Sequence, residues 1–224
     1  MMRNSQPSRN LSRSAVSRRN LLVTLGATAG LAATSGVSTG MTLLTERAEA
    51  AAPNTKQSDI KILNNALYYE HQAIWAYDFA AGKLSNTEVG KAVLAIALMN
   101  QRDHKAHRDA LAAAVRSLGG KPVMAEKSYD VSSYLNKGEG GLDSDANIAK
   151  LALALEVDAA IAYTQEVAQL KTPALITAGA TIGSNEASHA TAIRAAFKSL
   201  GVGLDIVPSS FVSADLRDRW ILKV

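Results

Sequence analysis

Apolar positions along this chain recur at alternating three- and four-residue steps in long runs, and no convincing two-residue strand alternation appears. In the first run Ile60, Leu63, Leu67, Ile74, Tyr77 and Leu84 share a stripe, predicting a helix from a Ser58 or Asp59 cap to about Lys83. The second carries Val93, Ile96, Leu111, Val115 and Leu118. A Ser85-x-x-Glu88 capping box opens it, and Gly119-Gly120 with Pro122 stops it near Leu118. A third run, about Ser144 to Lys171, is apolar around much of its circumference. The fourth has Thr172 as cap, Pro173 at the first helical position and Gly201 as stop, with Leu175, Gly179, Ile182, Ile193, Phe197 and Leu200 on its stripe. The last two dozen residues, through Pro208 and Phe211 to Trp220, are expected to wrap the outside and end in a short helix.

Helices 1 and 2, and helices 3 and 4, are joined by short links. Helices 2 and 3 are joined by a long one, Gly119 to Asp143, which holds Gly138, Gly140, Gly141 and the aromatic anchors Tyr129 and Tyr134. Helices of this length span ~40–50 Å at 1.5 Å per residue, and the long link, extended, can run back along all of it. The expected architecture is all-α, a four-helix bundle with one long crossover between helices 2 and 3.

Polar residues interrupt these stripes at one depth. Glu70 lies between Leu67 and Ile74; His104 and His107 continue the second stripe, as does Asn100; Glu186 and His189 continue the fourth; Glu156 lies within the third run. In antiparallel pairs Glu70 comes level with His104 and His107, and Glu156 with Glu186 and His189. A charge in an apolar seam is costly unless compensated, and imidazoles mixed with carboxylates are the usual compensators of a metal ion. The x-x-His steps place two donors on one helix face. A metal-free reading stands beside this one, with Glu186 and His189 as a carboxylate–imidazole pair in a buried polar network. His71 points about 100° away from Glu70, as a neighbour to the ligands or an interface residue. Asp103 is i, i+4 with His107 and could swing in, while Arg102, Arg108 and Asp109 suit a solvated face. Tyr69 and Tyr163 could serve a metal or simply fill the core.

Composition narrows the chemistry. There is no cysteine among the 224 residues, which excludes disulfides, thiol catalysis, iron–sulfur clusters and Cys-ligated zinc. Arg18-Arg19 precede a weakly apolar Ala-, Gly- and Thr-rich stretch from Leu21 to about Leu44, then Ala48-Glu49-Ala50. That is a twin-arginine export pattern with cleavage expected after Ala50. Residues 1–50 are therefore a signal peptide and 51–224 one bundle domain with a C-terminal tail, bound for the periplasm or secretion with no stable membrane anchor after cleavage. Of the 24 basic and 20 acidic side chains, six arginines and two glutamates lie in residues 1–50, leaving eighteen of each sign. The pI of about 9.3 thus belongs to the leader, and a nucleic-acid partner has no electrostatic support.

In the Tyr69-Glu70-His71 context, the His104-Lys-Ala-His107-Arg-Asp stretch, Glu156 and Glu186-Ala-Ser-His189, the chain resembles the ferritin-like superfamily. Twin-arginine-exported and desiccation-related members are the most similar, over roughly Asp59 to Leu200. The resemblance implies a metal site of Glu70, His104, His107, Glu156, Glu186 and His189. It implies one or two ions, iron first, with manganese, zinc or copper as alternatives. It also implies handling of iron, dioxygen or peroxide under stress, and an oxidase or peroxidase-type reaction as the enzymatic version. A homo-oligomer is compatible with it. At one position the chain departs from the family pattern, which has glutamate where His104 stands. Three carboxylates then face three imidazoles, so two divalent ions would need a hydroxide or another acid for charge balance. A mononuclear site with nitrogen-rich ligation is the other arrangement. The competing function is a metal-free bundle serving as a binding or stress-protective module.

Overall fold

The computed structural model describes residues 53–224, and among them every regular element is helical. Four long helices carry the chain: α1 (Pro53–Ala81), α2 (Glu88–Ser117), α4 (Asp145–Val167) and α5 (Pro173–Ser199). Shorter pieces are α3 (Ser132–Asn136), between α2 and α4, then a 3-10 turn (Ala214–Leu216) and α6 (Arg217–Trp220) in the tail. α1 packs along α2 and α4 along α5, and the two hairpins meet as an all-α bundle. The leader and cleavage point expected in residues 1–50 lie outside the described residues. Among the described residues no helix is long and apolar enough to cross a membrane.

Several helix ends follow the sequence signals. The Ser144 side chain accepts from Asn147 N and opens α4, Pro173 sits in the first turn of α5, and Gly201 follows that helix at φ +87°, a left-handed conformation that favours glycine. Two expected caps act elsewhere. Thr87, not Ser85, is the N-cap of α2 and accepts from Gly90 N at 3.2 Å. Ser85 stands two residues before that cap, where its Oγ accepts from Thr87 N at 3.3 Å and donates to Asp145 in the first turn of α4 at 2.6 Å, a charge-assisted bond. Asp59 lies well inside α1, which begins earlier than expected. It is fully buried and accepts from Lys171 N (2.9 Å) and Thr172 N (3.0 Å). Its carboxylate thus satisfies free amides at the start of α5, where Thr172 makes no side-chain cap bond of its own.

The apolar core forms two clusters. One is built around Leu63, Leu67, Leu111, Val115, Leu175 and Ile182. The other is built around Leu153, Val157, Ile161, Ala190, Ile193 and Phe197, and the tail adds Trp220 and Ile221 to it. Along α5 the order is Ile182, then Glu186 and His189, then Ile193; α4 likewise places Glu156 between Leu153 and Tyr163. A buried polar layer therefore separates the clusters.

The connection and the tail are fastened by a second group of charges. Arg217 donates to both oxygens of buried Glu139, each at 2.7 Å. Its Nε (2.5 Å) and Nη2 (2.9 Å) also donate to the Asp158 carboxylate on α4, to which Tyr134 donates from α3 at 3.0 Å. Val224 N donates to Gly138 O. Gly140, at φ +136°, passes so close to α4 that a Cβ there would lie 2.3 Å from Leu151 N, which leaves no room for any other residue.

Candidate metal centre

The polar layer brings all six expected donors together. Glu70, His104, His107 and Glu186 offer one atom each within 4.8 Å of one another, and so do His104, Glu156, Glu186 and His189. Each of the four long helices contributes: Glu70 from α1, the histidine pair from α2, Glu156 from α4, and Glu186 with His189 from α5. Both sets share Glu186, which is fully buried, and His104.

The contacts are tight. His104 Nδ1 lies 2.8 Å from Glu70 Oε2, and its Nε2 lies 3.2 Å from Glu156 Oε1. His189 Nδ1 faces Glu156 Oε2 at 3.1 Å and Glu186 Oε2 at 3.2 Å. His107 Nδ1 is 2.9 Å from Glu186 Oε1. That last pair differs from the rest, for neither atom makes a hydrogen bond with any partner, although both are buried. Buried polar atoms are rarely left unpaired in folded proteins. The two atoms form an ion pair when the imidazole is protonated, outside hydrogen-bond geometry, and become two donors for a shared cation once that proton is displaced. The donor set, nitrogen and oxygen only, fits a first-row divalent ion.

Electrostatics describe the same layer without an ion. Burial alone would raise the Glu70 carboxyl, but the imidazoles of His104 and His107 outweigh it and hold it down at about 2. Burial would lower His107, yet the carboxylates of Glu186 and Glu70 raise it to about 9. Against the same desolvation, Glu156 and Glu186 raise His189 to about 10. Burial keeps Glu186 above the usual carboxylate range despite its imidazole neighbours. Filling the site with a cation therefore means displacing protons from imidazoles.

Surrounding side chains hold the donors. Tyr163 donates its hydroxyl to Glu70 and Tyr77 donates its hydroxyl to Glu156; Asn100 donates to the Tyr77 oxygen at 3.0 Å and to Glu156 Oε1 at 3.3 Å. Gly183 is needed behind Tyr163, where a Cβ would come within 2.9 Å of the tyrosine Cβ. Asp103 does not swing into the cluster. Its Oδ2 lies 3.4 Å from His189 Nε2, the outward nitrogen, while Arg102 holds its other oxygen at 3.1 Å. A carboxylate on the far nitrogen fixes the ring and leaves Nδ1 toward the cluster. His71 is apart from the site, 3.3 Å from the Val123 carbonyl in the connection, so three histidines converge and the fourth fastens a loop. Tyr69 is half exposed. Tyr77 and Asn100 were legible only as members of apolar stripes; a polar tip one helical turn before His104 was the available signal for Asn100.

A sequence model of the ferritin-like domain family matches residues 58–199. No curated protein is matched by the chain. The crystal structure of a conserved hypothetical protein from Mycobacterium tuberculosis is similar in fold, with a TM-score of 0.54 at 22% identity, covering 70% of this chain and 99% of that one.

Proposed function

The chain belongs to the ferritin-like domain family, and from that premise we propose that it is an exported metal-binding protein that handles iron together with dioxygen or peroxide. The observation that carries the reading is the buried pair Glu186 Oε1 and His107 Nδ1, 2.9 Å apart and unbonded, inside a layer of three carboxylates and three imidazoles. The ion would sit at Glu186 with either Glu70 and His107 or Glu156 and His189, the two overlapping donor groups. Bound there, iron supplies one-electron exchange with dioxygen or peroxide. The chain's own part is to exclude bulk water, to fix the carboxylates through the Tyr77 and Tyr163 hydroxyls, and to orient His189 through Asp103.

His104 sets the number of ions in this reading. Both of its nitrogens face carboxylates of the site itself, an arrangement that an imidazolium satisfies and a neutral ring satisfies only by half. Three carboxylates balanced by one imidazolium and one divalent ion sum to zero; two divalent ions exceed the acids by one charge. We therefore assign one ion per chain, with His104 as a built-in cation where the family pattern has glutamate. Elemental analysis of the protein purified from its native compartment tests this. About one transition-metal ion per chain is expected, rising toward two in His104→Glu. Two ions in the unaltered protein would overturn the assignment.

The metal-free alternative also has an observation in its favour, since most donors already hydrogen-bond one another. It predicts no bound metal and no change in thermal stability on adding iron, manganese or zinc. Export rests on the Arg18-Arg19 leader, and amino-terminal sequencing of the exported protein should begin at Ala51.

A further inference from the structure

Between α1 and α4 the bundle does not close. A cavity of about 460 Å³ opens there, and its floor is formed by Glu70, His104, Glu156 and the two tyrosines that hold the carboxylates. The cause is the size of the facing side chains. On α1 the lining runs Tyr69, Ala73, Ala76 and Ala80, and on α4 Ala152, Leu155, Ala159 and Ala162, each at three- and four-residue spacing that keeps them on one face. Alanines leave space where leucines would interdigitate. This accounts for the apolar circumference of the third predicted helix: one side of α4 packs in the core, and another walls the cavity.

We propose that this cavity binds a neutral, mostly apolar organic molecule whose inner end rests against Glu70, His104 and Glu156. Its volume falls within the ~300–1,000 Å³ typical of small-molecule sites, and it has their usual form, apolar walls with a few convergent polar groups. The charges choose the ligand. Glu70, Glu156, Asp158 and Glu166 line the cavity and neither lysine nor arginine does; the imidazole of His104 on the floor already commits both nitrogens to Glu70 and Glu156, so a carboxylate or phosphate would meet acids with no free cation to pair with. Trp75 and Phe79, stacked with ring centroids 5.0 Å apart, stand on the lining with half-exposed Tyr69 and offer an amphipathic ligand flat aromatic surface. As a binding site the cavity stands on its own geometry; as a substrate site it rests on the metal reading above, and makes the co-reactant of the centre an aliphatic alcohol, aldehyde or similar neutral chain.

Calorimetric titration of chelator-treated protein with 1-decanol, and separately with decanoate, tests the binding without any metal. Decanol is expected to saturate near one molecule per chain and to change the emission of Trp75, while decanoate binds at least tenfold more weakly. Ala159→Trp and Ala76→Phe fill the cavity from opposite walls, and each should weaken decanol binding tenfold or more while leaving metal content at the unaltered level. Absence of saturable decanol binding overturns the proposal, as does binding untouched by both substitutions, or decanoate binding as tightly as decanol. A dimer that Ala159→Trp converts to monomer, with no decanol bound, assigns the cavity to a second copy and overturns it as well. Failure of the metal reading shows separately, as protein that binds decanol and contains no metal.

Discussion

Two groups of charge sit a short distance apart along α4, a buried one around Glu156 and a partly buried one around Asp158, and they are built differently. Around Asp158, the Arg217 guanidinium meets two carboxylates and Tyr134 adds a hydroxyl. A permanently charged, planar donor satisfies its acceptors in a fixed geometry. Around Glu156, imidazoles take the cationic role, and three buried atoms, on Asn100, His107 and Glu186, are left without hydrogen bonds. The first group is complete by itself and holds the tail to the bundle. The second is incomplete, and its cations can give up their charge. In this chain a structural ion cluster differs from a ligand site by whether the polar atoms are already paired and whether the positive partner can be deprotonated.

The largest expected contrast comes from removing one member of each group. Glu186→Ala should abolish metal retention, read by elemental analysis, together with any rise in melting temperature on adding iron. Arg217→Ala should leave metal content unchanged while costing about 3 kcal/mol of unfolding free energy in urea titrations, because Glu139 stays buried without its partner. Metal loss in Arg217→Ala comparable to that in Glu186→Ala would erase the distinction. Next in size, Asp103→Asn should weaken metal affinity about 10–100-fold through loss of the carboxylate behind His189, with little change in metal-free stability.

A gentler way to separate the groups is pH. His107 and His189 titrate near 9 and 10 in the folded chain against about 6.5 unfolded. Their contribution to metal-free stability is full below about pH 6.5 and is lost as pH rises through those values. Metal affinity should move the opposite way, rising from pH 6 toward 9 as protons are displaced more easily. Hydrogen bonds from Arg217 hold Glu139 below the ordinary carboxylate range. Its stabilisation is therefore present above about pH 4.5 and is lost as pH falls through its folded value. Melting curves of metal-free protein across pH 3–10 should show losses from Glu139, Glu70 and Glu156 at the acid end and the histidine loss at the alkaline end, with Arg217→Ala removing only the Glu139 share of the former.

Much of the bundle and the convergence of the six acids and imidazoles were legible in the sequence, because both depend on helical periodicity. Glu70, the histidine pair, Glu186 and His189 sit where an apolar residue would otherwise continue a stripe, and stripe positions converge when helices pack. Glu156 was harder to place, since α4 is apolar on several sides and its orientation depends on what the neighbouring helices leave open. Residues that act across long sequence separations were not legible. Asp59 reads locally as a cap for its own helix, yet serves the turn before α5, 112 positions away. Ser85 begins a capping motif, but the helix starts at Glu88 with Thr87 as its cap, and the Ser85 hydroxyl bonds to Asp145 of α4. Arg217 and Glu139 carry no periodic signal, and only the folded chain brings them together.

Arg217 also follows all four long helices in chain order, and that has a bearing on biosynthesis. A polypeptide made from its amino end exposes Glu139 and Asp158 well before their guanidinium partner has been translated. Fastening of the α2–α4 connection must therefore await synthesis of α6, so a nascent chain with every long helix already made still lacks this clasp.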